Sequence, residues 1–324
     1  MALNYIQNLL VSGRPLAITH DGYRQLMLSE FPTVDVNSHN SACHLAGRNP
    51  EALQLYQATK ILQQTLSQHF LPMNDECSRL TTEYENASIA AGAVAYHPVI
   101  GFITADCSYY FSSKALEVNL LAAENNPKIG CHLLHINTPG GEAWYLDRLS
   151  ETMRSLNKPA IAYVEGSCCS AGYYIACHAQ HIYAATLNDY IGCIGTMVSF
   201  YDFEPYFAQL GIRKVEARAE QSDLKNQEFE QLRQGKDKVF VKEFLNPMND
   251  LFINEVTSQR AALAHLEKNT PVLRGKTYTT IPAIEEGLID EQRKLFQVLD
   301  ECYLLADNYL SDRDLLEKSY SVLT

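Results

Sequence analysis

The sequence predicts an α/β protein built on a largely parallel sheet, preceded by a helical, loop-rich extension. Two observations predict this. From Val94 onward, short apolar runs alternate with amphipathic helical stretches, the pattern of βαβ units. Two turns of small residues, Thr138-Pro139-Gly140-Gly141 and Cys168-Cys169-Ser170-Ala171-Gly172, each fall between the end of an apolar run and the start of a helix.

Residues 1–90 read as the extension. Its one periodic segment follows Asn49-Pro50-Glu51, where Asn caps, Pro suits the first helical position and Glu complements the helix dipole. A helix is predicted from Pro50 to about Phe70, with Leu55, Ile61, Leu62 and Leu66 on one face that packs against the main body or, in the alternative reading, serves as an assembly arm. The most apolar stretch, Ile89 to Ala105, is split by His97-Pro98 and weakened by Gly92 and Gly101, so it reads as two short buried strands rather than a membrane span.

The core is expected over residues 91–300. Ser112 or Ser113 caps a helix carrying Leu116, Leu120 and Leu121, and Cys131 to Asn137 forms a buried strand. A helix from Glu142 to about Leu156 follows, with Leu146, Leu149, Met153 and Leu156 as its buried stripe. Ala160 to Gly166 is the next strand, a helix begins after Ser170, and His181 to Ala185 forms another strand. Residues 301–324 read as a C-terminal tail.

Composition narrows the function. A net charge of -12 repels phosphate backbones and anionic lipid, so no nucleic-acid or membrane partner is expected. Nine cysteines without a regular framework point to a reducing compartment, and with no secretory leader the expected location is cytoplasmic. Cys168, Cys169, Cys177, His178 and His181 match no zinc spacing, so neither metal nor cofactor is expected.

Both small-residue turns should open on the same edge of the sheet, where sites form in α/β proteins. Gly140-Gly141 can then supply an oxyanion donor, and Ser170, flanked by Cys169, Ala171 and Gly172, stands where a nucleophile belongs. The bland alternative makes Ser170 an ordinary helix cap.

Whole motifs go further. NTPGG (137–141), CSAGYYIA (169–176), IGCIGT (191–196), the lysine of QSDLKNQEF and KTYTTIPAIEEGLIDE (276–291) resemble, in order and spacing, the signal-peptide-peptidase-A family of serine peptidases over roughly residues 94–295. The resemblance implies a ClpP/crotonase-like β-α spiral and a Ser-Lys dyad, with Ser170 as nucleophile, Lys225 as general base, and Gly140 or Gly141 with the Ala171 amide as oxyanion hole. Cys193 stands where the family usually has a serine supporting the lysine, and Asp223 lies beside Lys225. Lys214 is the alternative base, and Cys168 and Cys169 are rival nucleophiles.

The Cys-Ser-Ala-Gly turn and the segment PLAITHDGY are similar to those of soluble phage and prophage head-maturation proteases. That kinship implies capsid or scaffold proteins as substrates, in the host cytoplasm or procapsid. Relatives assemble into rings or domes, which implies a homo-oligomer, and the long helical region predicted from Phe229 to Leu266 carries apolar residues beyond one core-facing stripe, with Phe240, Phe244, Leu251 and Phe252 as candidate contacts. The competing functions are a cytoplasmic peptide-degrading protease, a crotonase-type acyl-CoA hydratase or isomerase, and a non-catalytic assembly scaffold.

Overall fold

The computed structural model describes residues 16–18, 50–69, 79–106 and 110–323, with backbone alone at 16–18, 50–56 and 320–323. Most of PLAITHDGY, the Leu55 side chain and Phe70 lie outside the described residues. The strands are β1 (Leu16–Ile18), β2 (Leu80–Thr81), β3 (Ala93–Ile100), β4 (Ile103–Thr104), β5 (Phe111–Ser112), β6 (Ile129–Thr138) and β7 (Gly140–Glu142). They continue with β8 (Ala160–Cys169), β9 (His181–Ala184), β10 (Tyr190–Gly192), β11 (Thr277–Tyr278) and β12 (Glu291–Gln292). The principal sheet runs β11-β10-β8-β6-β3-β2, parallel except where β10 meets β11, and a smaller sheet runs β1-β7-β4-β5. The expected parallel α/β architecture is what the chain adopts.

Both faces of the principal sheet are covered, which is why its central strands are apolar throughout rather than alternating. One face receives Leu62 and Leu66 of α1 (Pro50–Gln68), as expected for a helix packed on the main body. The other face receives α2 (Ser113–Asn125) through Leu116 and Leu120, and α3 (Leu146–Ser155) through Leu146, Leu149 and Met153. Ser112 caps α2, accepting the Ala115 N–H, while Leu121 faces outward. After β8 come α4 (Ala171–Ala176), α5 (Glu204–Gln209), α6 (Gln227–Arg233), α7 (Asn246–Gln259), α8 (Thr280–Glu285) and α9 (Leu295–Leu323).

Four expectations change. β3 passes unbroken through His97-Pro98, because β2 covers only Val94 and Ala95 and, among the described residues, no strand on that side needs a donor from Pro98. The break falls instead at Gly101, whose φ of +84° few other residues adopt. Glu142 belongs to β7, fully buried and accepting the Ala105 N–H, so α3 starts only at Leu146. The stretch 229–266 is broken into α6, a π-helical turn at Val241–Leu245 and α7; Phe240 and Phe252 are buried, whereas Phe244 and Leu251 are exposed.

α9 runs through residue 300 without interruption. Cys302 and Ala306 are buried with Val94, Cys131 and Leu133, and a β-carbon on Gly130 would stand 2.5 Å from the Ala306 carbonyl oxygen. The helix therefore seats directly on the backbone of β6.

Candidate active site

β8 changes partners along its length, and this sets the site. Ile161 to Val164 pair with β9, while Ser167 to Cys169 pair with β10. The change falls at Gly166, with φ of +115° and the Asn137 side-chain oxygen 2.6 Å from where a β-carbon would stand. The last residues of β8 are thereby carried out to Ser170. Ser170 is buried, with φ of +53° and ψ of -117°, outside the regions open to ordinary L-residues. Its N–H donates to the Gly192 carbonyl at 2.8 Å and its hydroxyl to the Gly195 carbonyl at 3.4 Å. The hydroxyl caps nothing, which disposes of the ordinary helix-cap alternative.

Thr138 joins the glycine turn to this one. It is the register partner of Cys168, its hydroxyl donates to the Gly101 carbonyl at 2.6 Å, and it accepts the Gly140 N–H at 3.1 Å. Its methyl group fills the space beside Gly172 that a β-carbon would need. Gly141 is held as closely by β4, since any β-carbon there would collide with the Ile103 carbonyl. Of the amides expected to form an oxyanion hole, Gly140 is thus already engaged by Thr138. The Ala171 N–H, at the first position of α4, has no acceptor within its own helix.

The rival thiols are poorly suited to attack. Burial pushes Cys169 up to about 12 and Cys168 well above the usual thiol range, so neither readily yields a thiolate. Cys193 also has a positive φ of +53°; burial raises its thiol pKa against a hydrogen bond from Thr277. It lines a cavity of about 700 Å³ together with Gly195, Thr196, Asn246, Asn249 and Lys268. Gly195 also accepts the Ser170 hydroxyl, so the cavity and the buried serine share this residue as a neighbour.

The lysines are distributed otherwise than the motifs imply. Lys225 is exposed on the turn before α6, its N–H donating to the Ser222 carbonyl, and the Ser170 hydroxyl points to Gly195 instead. Lys214 is ringed by Glu216, Glu230 and Glu204 at 2.8, 3.2 and 3.5 Å, and these carboxylates raise its pKa. Such a group holds its proton rather than accepting one. Burial does depress one lysine, Lys158, to about 8, and its ammonium donates to the Ala123 and Asn126 carbonyls at the end of α2. It precedes the first residue of β8, on the order of 30 Å of strand from Ser170, so its perturbed pKa belongs to structure and not to this site.

A second constellation escaped sequence reading because its members are scattered. Ser150 and Glu255 lie 2.9 Å from His178, but both meet Nε2, while Nδ1 faces the Ile175 carbonyl. One nitrogen cannot both take a serine proton and be oriented by the carboxylate, so this cluster ties α3 to α7 and is no catalytic relay. Among the described residues, no group of three or more His, Cys, Asp or Glu could hold a metal ion, and no helix is long and apolar enough to cross a membrane.

Residues 152–307 match the family model of peptidase family S49. That match covers 156 of the 324 residues, just under half of the chain, and is a similarity of this segment to the family. Ser170, Cys193, Lys214 and Lys225 all fall inside the matched segment, while Gly140-Gly141 precede it. The chloroplastic serine protease SPPA of Arabidopsis thaliana is 26% identical over 172 residues, 52% of this chain. The match spans 25% of that relative's length. Among solved structures, a mutant of the 1510-N membrane-bound stomatin-specific protease overlaps at a TM-score of 0.43 and 16% identity, covering 66% of this chain and 86% of its own. An enoyl-CoA hydratase/isomerase family member overlaps at 0.38 and 15% identity, covering 72% and 82%.

Proposed function

We propose that this chain is a serine endopeptidase in which the Ser170 hydroxyl attacks a peptide carbonyl, with the Gly141 and Ala171 amides stabilising the oxyanion. The observation that carries the proposal is the strained backbone at Ser170. A residue held at φ +53° and ψ -117° costs about 1–3 kcal/mol, and such strain persists at strand-to-helix turns that expose a nucleophile. The similarity of residues 152–307 to peptidase family S49 supports the same chemistry.

Lys225 is the proposed base. It would accept the Ser170 proton on attack and return it to the leaving amine. An exposed lysine must first be brought to the serine, and the surface nearby suggests how. Tyr201, Tyr206, Phe207, Leu210, Ile212 and Leu224 are all exposed, an apolar surface that a second copy of the chain would cover. The enzyme is then latent as a single chain and completed by homo-oligomer formation.

The proposed substrates are capsid or scaffold proteins of a phage or prophage, cleaved in the host cytoplasm or procapsid; the similarity of the nucleophile turn to head-maturation proteases supports this. A fluorophosphonate probe should label Ser170 in the assembled protein, and Ser170→Ala should lose both labelling and cleavage. Lys225→Met should abolish cleavage while Lys214→Met retains it. Enolate chemistry surviving Ser170→Ala would replace this proposal with the acyl-CoA alternative.

A further inference from the structure

β1 lies antiparallel along β7, with Leu16 opposite Glu142, Ala17 opposite Gly141 and Ile18 opposite Gly140. The other edge of β7 is taken by β4 through Ile103, and β7 packs against α4, the helix that Ser170 precedes. An extended backbone on this edge therefore runs along both glycines. Its direction is also informative. The segment proceeds from Leu16 towards Ile18 and so towards Gly140, which Thr138 ties to Gly172 and the nucleophile turn. The carbonyl end of the segment is directed at that turn, the sense required of the acyl side of a substrate.

We propose that Leu16-Ala17-Ile18 occupies the strand position a substrate's acyl side takes on β7, so that the chain competes with its own substrates until this strand leaves. The inference rests on Ser170 being the nucleophile. Pairing through the main chain needs little from side chains, so three short apolar residues suffice to fill an edge. A three-residue strand is weak alone, but a tethered segment acts at an effective concentration of about millimolar, enough to exclude dilute substrates and still exchange. The arrangement also covers an edge that would otherwise pair with other chains.

The test uses the full chain in its assembled form and the rate at which a fluorophosphonate labels Ser170, located by peptide mapping. Successive N–H groups of a strand face opposite edges, so one of Ala17→Pro and Ile18→Pro must remove a donor facing β7. That variant should be labelled at least about tenfold faster than the unaltered chain. A synthetic peptide of residues 14–22 at millimolar concentration should slow it again, and a scrambled peptide should not. Ile18→Gly, which weakens a strand without removing a donor, should give a smaller acceleration and serves if the proline variants unfold. Equal labelling of Ser170 in every form, with no effect of the peptide, overturns the occupancy and leaves the peptidase standing. Absence of Ser170 labelling in every form overturns the peptidase, and this inference with it.

Discussion

The methyl group of Thr138 fills the space that a β-carbon on Gly172 would require, while the hydroxyl of the same threonine accepts the Gly140 N–H. One side chain thus sets the spacing between the glycine turn and the start of α4. Gly172→Ala should force the two apart, costing about 1–3 kcal/mol of stability and, through misplacement of the oxyanion donors, about a hundredfold in cleavage rate. Thr138→Ser removes the methyl and keeps the hydroxyl. Combined with Gly172→Ala, it should restore most of the activity, and failure to do so in a folded double variant would show that the contact does not set the spacing.

Ser170 stands at a backbone geometry that glycine tolerates far better than alanine. Ser170→Gly and Ser170→Ala should both be inactive, but the glycine variant should be the more stable by about 1 kcal/mol in urea unfolding. The reverse order would mean that the turn holds no strain.

Glu255 is held at about 2 by its hydrogen bond from His178, against burial and with further help from Arg154. Its folded-state value lies below the unfolded value of about 4.3, so it contributes stability that is present above pH ~4.3 and lost as pH falls towards 2. Glu255→Gln should be less stable at neutral pH and should flatten the decline of the urea midpoint between about pH 5 and 2.5. An unchanged acid slope would assign that decline to other carboxylates.

Gly130 has Ala306 against it, with the carbonyl oxygen 2.5 Å from the site of a β-carbon. Gly130→Ala should lift α9 from β6, lowering stability by about 2–3 kcal/mol and opening α9 to limited proteolysis. Retention of protease resistance would show that the helix can shift to accommodate a methyl group.

The parts of the fold that were legible in the sequence are those with strong periodicity or punctuation. α1, α2, β6 and β8 could be read because apolar spacing and Asn-Pro signals marked them locally. The continuity of β3 could not, because whether Pro98 breaks a strand depends on how far β2 extends beside it. The two turns of the site were legible because glycines and small residues mark tight backbone. The setting of Lys214 among three carboxylates was not, since Glu204 and Glu230 approach it from separate helices. Nor was the pairing of Leu16–Ile18 with the glycine strand, a contact between segments more than a hundred residues apart.

The seating of α9 on β6 also orders events during synthesis. The ribosome makes Val94, Cys131 and Leu133 long before Cys302 and Ala306, which complete the same face of the sheet. At about 5–20 residues per second, the intervening stretch takes roughly 10–35 s to translate. Throughout that interval this face, covered in part by Leu62 and Leu66 of α1, still lacks its second helix, which leaves apolar surface open to holdase chaperones and the turn bearing Ser170 on an unfinished sheet. A reaction at Ser170 that needs the finished sheet would therefore wait until α9 has been made.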